Sequence, residues 1–214
     1  DGKTKFFERT SGSTKPQSPW GMRAIAVSPR GVKLDWNSSA VSGVHNIYRD
    51  TVSQPQTLLA TVSGLSFLDT TVVLNKLYWY AVTLTGPGES VRSSSVSTMA
   101  HNPARIDSVT QVSRNQISLS LSFPYDQNRI SDAAIFVDDS LMPASIAFRS
   151  PTKILLSFGR VLAKDTHYVR IRRLEDIYGM NADTTQRMKF YSSLEEIAPF
   201  YIRQATFISQ LTIM

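Results

Sequence analysis

The chain has 214 residues, with 23 Lys and Arg against 17 Asp and Glu and no Cys. A domain usually contains about 100 to 200 residues, so one or two domains are expected, and 42% apolar residues are enough to build a core. The lack of Cys excludes thiol catalysis and cysteine-based zinc sites. The net charge of +6 is spread over both halves, and no apolar stretch is near the length of about 18 residues that spans a bilayer. We therefore expect neither nucleic-acid binding nor membrane insertion.

Apolar and polar residues alternate along much of the chain. Val32, Leu34 and Trp36 are separated by polar residues, and the same period of two recurs in residues 117–123 and 169–172. This period is typical of strands with one buried face. Turn-forming residues recur about every ten positions, and many short strands at that spacing indicate an all-β fold. The expected architecture is two tandem Greek-key β-sandwiches, and the seventh strand of the first is predicted over residues 89–99.

Changes in composition divide the chain into four segments. A Ser/Pro-rich stretch, SGSTKPQSP, indicates that residues 1–18 are the end of an upstream domain followed by a linker. The sequence HNP separates a first module, residues 19–100, from a second, residues 101–198. The sequence IAP precedes a last segment, residues 199–214. One helical turn is predicted in SSLEEI, where Ser can cap a turn that contains two Glu residues.

Residues 19–100 resemble a fibronectin type III domain at each expected strand. The matching segments are VKLDW (32–36), HNIYR (45–49), LLATV (58–62), SFLD (66–69), YWYAV (78–82) and GES (88–90). The resemblance implies a seven-stranded sandwich, with Trp36 buried between the sheets and Tyr78 in the tyrosine corner, its hydroxyl bonded to nearby backbone. His45 stands where the family usually has Tyr, and we expect it to be packed rather than to bind a ligand. This version of the domain resembles modules attached to bacterial secreted enzymes.

Residues 103–194 resemble a bacterial immunoglobulin-like domain. The matching segments are NQISLSLSFP (115–124), AAIFV (133–137), KILL (153–156), HYVRI (167–171) and LEDIYG (174–179). The resemblance implies a second sandwich. Asp138, Asp139 and Asp176 are expected in turns, where Asp accepts local backbone N–H groups. Residues 199–214 repeat the apolar spacing that begins at Ile106, so they are a candidate start of a further immunoglobulin-like repeat; chance similarity between amphipathic strands is the alternative.

The sequence contains no recognisable catalytic constellation. His45, His101 and His167 fall on separate predicted elements, and no G-x-S-x-G, H-E-x-x-H or phosphate-binding glycine motif is present. The acidic pairs lack the D-x-D-x-D-G spacing that gathers about six oxygens around calcium. A carboxylate pair for glycoside hydrolysis stays open, because the fold sets its separation. We expect no catalytic residue, no metal and no cofactor, and so no enzyme activity in this segment.

One tight basic cluster occurs, at residues 170–173. Arg170 and Arg172 are two positions apart, so they share one face of a strand, whereas Arg173 points to the other face. We interpret this cluster as a solvated strand face.

Four aromatic residues are the candidate ligand-binding residues: Trp20, Trp79, Tyr125 and Tyr178. Trp79 is predicted to point outward, because its neighbours Tyr78 and Tyr80 share the opposite face. An exposed Trp can stack on a sugar ring or pack against a neighbouring domain. Two of these aromatic rings lying coplanar on one exposed face would favour carbohydrate binding.

Three functions remain open. The favoured one is a pair of non-catalytic accessory or spacer modules of a larger secreted or cell-surface bacterial protein, positioning a neighbouring catalytic or adhesive domain. The alternatives are a carbohydrate-binding accessory region of a polysaccharide-degrading enzyme and a protein–protein adhesion module with an exposed sheet edge. The expected partners are neighbouring domains of the same chain, with a polysaccharide or another surface protein as further candidates. The resemblances imply an extracellular or cell-surface location.

Overall fold

The computed structural model describes residues 14–130 and 134–193, which contain fourteen strands. The predicted helical turn in SSLEEI falls largely outside these residues, as do most of the upstream segment and the candidate repeat at 199–214. The first seven strands are β1 (Trp20–Ser28), β2 (Gly31–Asn37), β3 (Val44–Asp50), β4 (Leu58–Ser63), β5 (Ser66–Asp69), β6 (Leu77–Leu84) and β7 (Val96–Met99). The others are β8 (Ile106–Ser113), β9 (Gln116–Leu121), β10 (Ile135–Val137), β11 (Ser145–Ser150), β12 (Lys153–Ser157), β13 (Thr166–Ile171) and β14 (Arg187–Tyr191). A 3₁₀ turn, Gln127–Arg129, precedes β10.

The first seven strands form two antiparallel sheets, ordered β1-β2-β5 and β4-β3-β6-β7. The alternation along β2 places Leu34 and Trp36 in the core, where Trp36 is 3% exposed, and leaves Lys33 in solvent. Ile47 of β3 and Tyr80 of β6 meet them from the other sheet. Burying each large apolar side chain stabilises the fold by about 1.5 to 3 kcal/mol. The expected burial of Trp36 between the sheets is confirmed.

The remaining strands form a second pair of antiparallel sheets, ordered β11-β12-β9-β8 and β10-β13-β14. Leu119 of β9 and Leu156 of β12 pack from the first sheet against Val169 of β13 in the second. Each sandwich therefore has its own apolar core, and the expected all-β fold of two tandem β-sandwiches is confirmed. The exact domain boundaries stay predictions.

A buried carboxylate joins the two sheets of the first sandwich. Asp69, at the end of β5, accepts hydrogen bonds from Arg49 at 2.7 Å, from the Tyr80 hydroxyl at 2.9 Å and from the backbone N–H and hydroxyl of Thr71. Arg49 also lies over the ring of Tyr78, 4.7 Å from its centroid. Burial acts to raise the pKa of Asp69, but these hydrogen bonds outweigh it and hold the pKa below its usual range. The carboxylate is therefore ionised and fully partnered inside the fold.

Tyr78 is buried as expected, but the tyrosine hydroxyl that the structure anchors in β6 is that of Tyr80. Its acceptor is the Asp69 side chain rather than nearby backbone. Burial also raises the pKa of Tyr80, which keeps its hydroxyl protonated as a donor. Tyr78 instead presents its ring to the cations of Arg49 and Lys76.

The last strand of the first sandwich is shorter than the alternation predicts. A strand over residues 89–99 was expected, whereas β7 begins at Val96. Two serine hydroxyls explain the difference: the Oγ atoms of Ser90 and Ser93 accept the backbone N–H groups of Leu84 and Val82. Because side-chain oxygens take the place of backbone carbonyls there, the segment runs beside β6 without forming a regular ladder.

Replacing Asp69 by Asn should destabilise the first sandwich by about 3 kcal/mol, because Arg49 loses its charged partner in the interior. The matched control is D35N, since Asp35 forms an exposed ion pair with Lys33 at 3.3 Å, and its loss should change the free energy of unfolding by less than about 1 kcal/mol. Urea denaturation of both variants measures the difference. Since the folded pKa of Asp69 is lowered, its contribution is present above the unfolded pKa and is lost as pH falls through the folded pKa. Equal losses in D35N and D69N would contradict the assignment.

Candidate functional site

His101, immediately after the first sandwich, is fully buried against the second. Its ring stacks on Phe123, with centroids 3.9 Å apart and planes 8° from parallel, and meets the ring of Tyr178 edge-on at 5.6 Å. Nε2 lies 2.9 Å from Oδ2 of Asp176. Linker residues are usually solvated, so complete burial of this histidine means that the connection is packed into the second domain.

The acceptors around His101 and Asp176 determine how many protons the two side chains share. Nδ1 of His101 lies 2.6 Å from the carbonyl oxygen of Asn102, which can only accept, so Nδ1 carries a proton. Nε2 faces a carboxylate, so a second proton lies on Nε2 or on Asp176. The approach is a close polar contact rather than a well-aligned hydrogen bond. Burial raises the pKa of Asp176, while the neighbouring His101 and the backbone N–H groups of Tyr178 and Met180 oppose that rise.

Backbone contacts complete the connection between the sandwiches. The N–H of Ala26, in β1, donates to the carbonyl oxygen of Tyr178 at 3.0 Å. Gly179 has φ +83° and lies so close to Ile25 that an added Cβ would stand 2.7 Å from its Cγ2. Glycine is required there for both the backbone conformation and the close approach. We call this arrangement of Ile25, Ala26, His101, Phe123 and residues 176–179 the interdomain joint.

A cleft of about 230 Å³ opens beside the joint, between Arg23 and Ile25 of the first sandwich and Asp126 and Arg129 of the second. Its acidic groups, Asp126 and Asp176, already contact other side chains. Arg129 contacts both Asp126, at 3.2 Å, and Glu175, and Asp176 contacts His101. A general acid or base must be able to exchange a proton with a ligand, whereas these carboxylates are engaged in holding the loops of the joint.

The other two histidines have different surroundings. His45 is fully buried beside Trp36, and the centroids of the two rings are 5.5 Å apart. His45 is therefore packed, as expected. His167 lies between Asp138, 2.6 Å from Nδ1, and the carbonyl oxygen of Ala163, 2.9 Å from Nε2. Burial lowers the pKa of His45. Burial also acts to lower the pKa of His167, but the Ala163 carbonyl and the Asp138 carboxylate raise it overall.

Asp138 and Asp139 do occupy a tight turn, each with positive φ, at 51° and 61°. This turn follows β10, and such conformations favour Asp, Asn and Gly. The bonds of Asp138 are long-range rather than local, however, because its carboxylate accepts the backbone N–H of Tyr168 and contacts His167. The turn therefore holds β10 against β13.

The four aromatic candidates lie in separate environments. Trp20 begins β1 and is 47% exposed, and Trp79 is half-buried on the outward face of β6, opposite Asp50 and Ser97. Tyr125 is a core residue, 3% exposed, and its hydroxyl donates to the carbonyl oxygen of Ser150. Tyr178 belongs to the joint. Trp20 and Trp79 lie in different sheets, and a ligand-binding role for these four residues stays a prediction.

The contact between His101 and Asp176 was not predicted from the sequence. Each had been interpreted alone, one as a linker residue and one as a turn residue that accepts local backbone N–H groups. The turn role of Asp176 is present, since Oδ1 accepts from Tyr178 and Met180. No local pattern connects the two residues, because the fold brings them together from distant parts of the chain.

Within residues 14–130 and 134–193, no group of three or more His, Cys, Asp or Glu side chains converges as a metal site would require. No helix in that part of the chain has the length and apolar character needed to cross a membrane.

The chain is similar to several solved structures, although no protein-family model and no curated protein matches it. A Fn3-like protein from Clostridium thermocellum is 28% identical, with a TM-score of 0.36, over 39% of this chain and 92% of that chain. The fibronectin type III domain of a human fibronectin type III domain containing protein 3 is 15% identical, with a TM-score of 0.38, over 44% of this chain and 93% of that one. Domains FN1–FN3 of chicken CNTN1 are 10% identical, with a TM-score of 0.46, over 85% of this chain and 68% of that chain. These neighbours contain fibronectin type III domains.

Replacing His101 by Phe should destabilise the protein by about 3 kcal/mol, because an aromatic ring remains against Phe123 while the buried Oδ2 of Asp176 loses the polar group that faces it. The matched control is H45F, at a fully buried histidine that packs on Trp36. Because burial lowers the pKa of His45, the control removes no charge at neutral pH and should cost about 1 kcal/mol. Calorimetric unfolding measures both. A loss in H45F as large as that in H101F would show that ring packing, not the carboxylate contact, stabilises the joint.

His45 and His167 should titrate on opposite sides of the ordinary value of 6.5. The charged form of His167 stabilises the fold below pH 6.5, and this contribution is lost as pH rises through its folded pKa. His45 has the opposite sign, so stability is complete above 6.5 and falls as pH decreases below it. NMR titration of the ring resonances measures both values. D138N should lower the pKa of His167 and leave His45 unchanged; a His167 pKa that D138N does not move would rule out the carboxylate as its cause.

Proposed function

We propose that this chain is a pair of non-catalytic accessory modules that holds neighbouring domains of a larger secreted or cell-surface bacterial protein at a fixed separation and orientation. The observation that carries the proposal is the interdomain joint. A spacer with a solvated linker leaves its domains free to rotate, and relative motion is the default expectation for small polar contacts between domains. Here a fully buried His101, a backbone hydrogen bond and a close glycine contact connect the two sandwiches.

The state of the acidic groups supports a non-catalytic role. In the cleft beside the joint, Arg129 contacts the carboxylate of Asp126 and also that of Glu175, and His101 contacts that of Asp176. In the first sandwich, Asp69 is buried and fully hydrogen-bonded. Groups engaged in this way stabilise the fold, and they lack the free access to a ligand that proton transfer requires.

We infer further that the first sandwich is a fibronectin type III domain and that the second is an immunoglobulin-like domain of the constant type. Strands β8 to β14 taken as A to G give one sheet with the order D-E-B-A and another with C-F-G. Constant-type immunoglobulin domains divide their seven strands in this way. In the first sandwich the fourth strand, β4, instead pairs with β3 in the sheet of β6 and β7. The difference supports two distinct module types in series.

The spacer function is tested by measuring whether the two sandwiches tumble as one body. Residual dipolar couplings from both should fit a single alignment tensor in the unmodified protein. In G179A the added methyl group meets Ile25, so the relative orientation of the domains should change. The matched control is G64A, where φ is +100° but no atom lies within 4 Å. Both substitutions strain the backbone by about 1 kcal/mol, yet only the first should alter the interdomain orientation.

Independent alignment tensors for the two sandwiches in the unmodified protein would overturn the proposal that a rigid joint sets the spacing. An equal change of orientation in G64A and G179A would show that turn strain, rather than contact at the joint, is responsible.

A further inference from the structure

The outward face of the β10-β13-β14 sheet concentrates cationic and aromatic side chains. Strand register places Arg170 opposite Arg187 and Tyr168 opposite Lys189 on neighbouring strands. Arg172 continues the same face of β13, and Tyr191 continues that of β14. We call these six residues the basic face. Arg172 and Arg187 are exposed, and Lys189 is exposed with them. The sequence alone shows only the cluster on β13, because pairing with β14 brings the second set of cations beside it.

The charge of this face is only partly compensated. Asp139, in the turn after β10, lies 2.8 Å from Arg187 and 3.4 Å from Arg170. Its single carboxylate stands against four cations, which leaves a net charge of about +3 on the face. Asp138 is directed instead to His167 and the backbone of Tyr168. The guanidinium of Arg172 lies 5.8 Å from the ring centre of Phe136, so an aromatic surface supports it at the edge of the face.

Two tyrosines extend the face with uncovered rings. Tyr168 is 44% exposed and Tyr191 is 55% exposed. Exposed tyrosine rings can stack against the C–H surface of a sugar while the hydroxyl group stays in water. The guanidinium groups lie on the same strands, and their planar fork fits a carboxylate with two parallel hydrogen bonds. A stacking surface and carboxylate-binding groups therefore occur side by side on one face of this sheet.

We propose that the basic face binds an acidic polysaccharide whose sugars carry carboxylate groups. The polysaccharide would cross β13 and β14, with its sugar rings stacked on Tyr168 and Tyr191. Its carboxylates would bind Arg170, Arg187 and Lys189. This site goes beyond the spacer role and does not depend on it. Nucleic-acid binding fits the face less well, because tight binding to a phosphate backbone commonly uses about 6 to 10 cation contacts, and this face offers four cations, two of which already contact Asp139.

The experiment measures binding of the whole chain to oligogalacturonate by isothermal titration calorimetry at two salt concentrations. R170Q/R187Q should weaken binding about tenfold or more, because two charge-assisted contacts are lost, and should reduce the salt dependence. Y168A should weaken binding severalfold without changing the salt dependence. The matched control is R30Q/R149Q, which removes the same charge from exposed positions away from the face, and its affinity should stay within about twofold of the unmodified protein.

Circular dichroism checks that each variant is folded, and the single exposed substitution K189Q replaces the double variant if R170Q/R187Q does not fold. Binding that R30Q/R149Q weakens as much as the substitutions on the face would overturn the proposal, since net charge alone would then explain it. Two further results would also overturn it: a neutral polysaccharide that binds as tightly as oligogalacturonate, and a single-stranded oligonucleotide of equal length that binds more tightly at the same salt concentration. The second of these would assign the face to nucleic acid.

Discussion

The contact between His101 and Asp176 is the interaction on which the arrangement of the two domains depends. Removing a carboxylate from water is unfavourable by several kcal/mol, and the loss is recovered only if a cation and hydrogen-bond donors are in place. Asp176 lies in the second sandwich, where its Oδ1 accepts backbone N–H groups, but the polar group that faces its Oδ2 is Nε2 of His101, the residue that follows the first sandwich. The buried Oδ2 therefore has this polar neighbour only when the end of the first sandwich is seated in the joint.

The same device recurs within each domain, in a chain that has no cysteine to form disulfides. Asp69 ties β5 to the opposite sheet through Arg49 and Tyr80. Asp138 ties the turn after β10 to β13. Glu89, although exposed, accepts hydrogen bonds from Thr83, Tyr48 and Asn46, and these bonds lower its pKa to about 2. Ionised carboxylates with several donors therefore fix the edges of sheets whose centres are held by apolar packing.

The contrast between apolar packing in the sheets and long-range polar contacts at their edges explains which features the sequence could predict. The strands follow from alternation, because period-two burial is a local property, and β2 and β9 have the predicted residues inside. The end of the first sandwich was predicted too long, since the sequence does not show that the hydroxyls of Ser90 and Ser93 replace backbone acceptors. Tyr125 was named as a candidate ligand-binding aromatic, and in the fold its ring is turned inward. Partnerships such as His101 with Asp176 are set by tertiary structure and leave no local signal.

The joint and the basic face lie on the same strand-loop unit, and this placement links the two proposals physically. β13 carries Tyr168 and Arg170 on its outward face, and the chain then runs directly into the loop that contains Asp176 and Gly179. A ligand bound to β13 therefore has a fixed orientation relative to the first sandwich, as long as the contacts of the interdomain joint are formed. A flexible linker would let the same face bind with no defined direction for the domain before it. Because the joint is built from buried contacts rather than from chain length, the first sandwich would be presented in one orientation to whatever surface the second one binds.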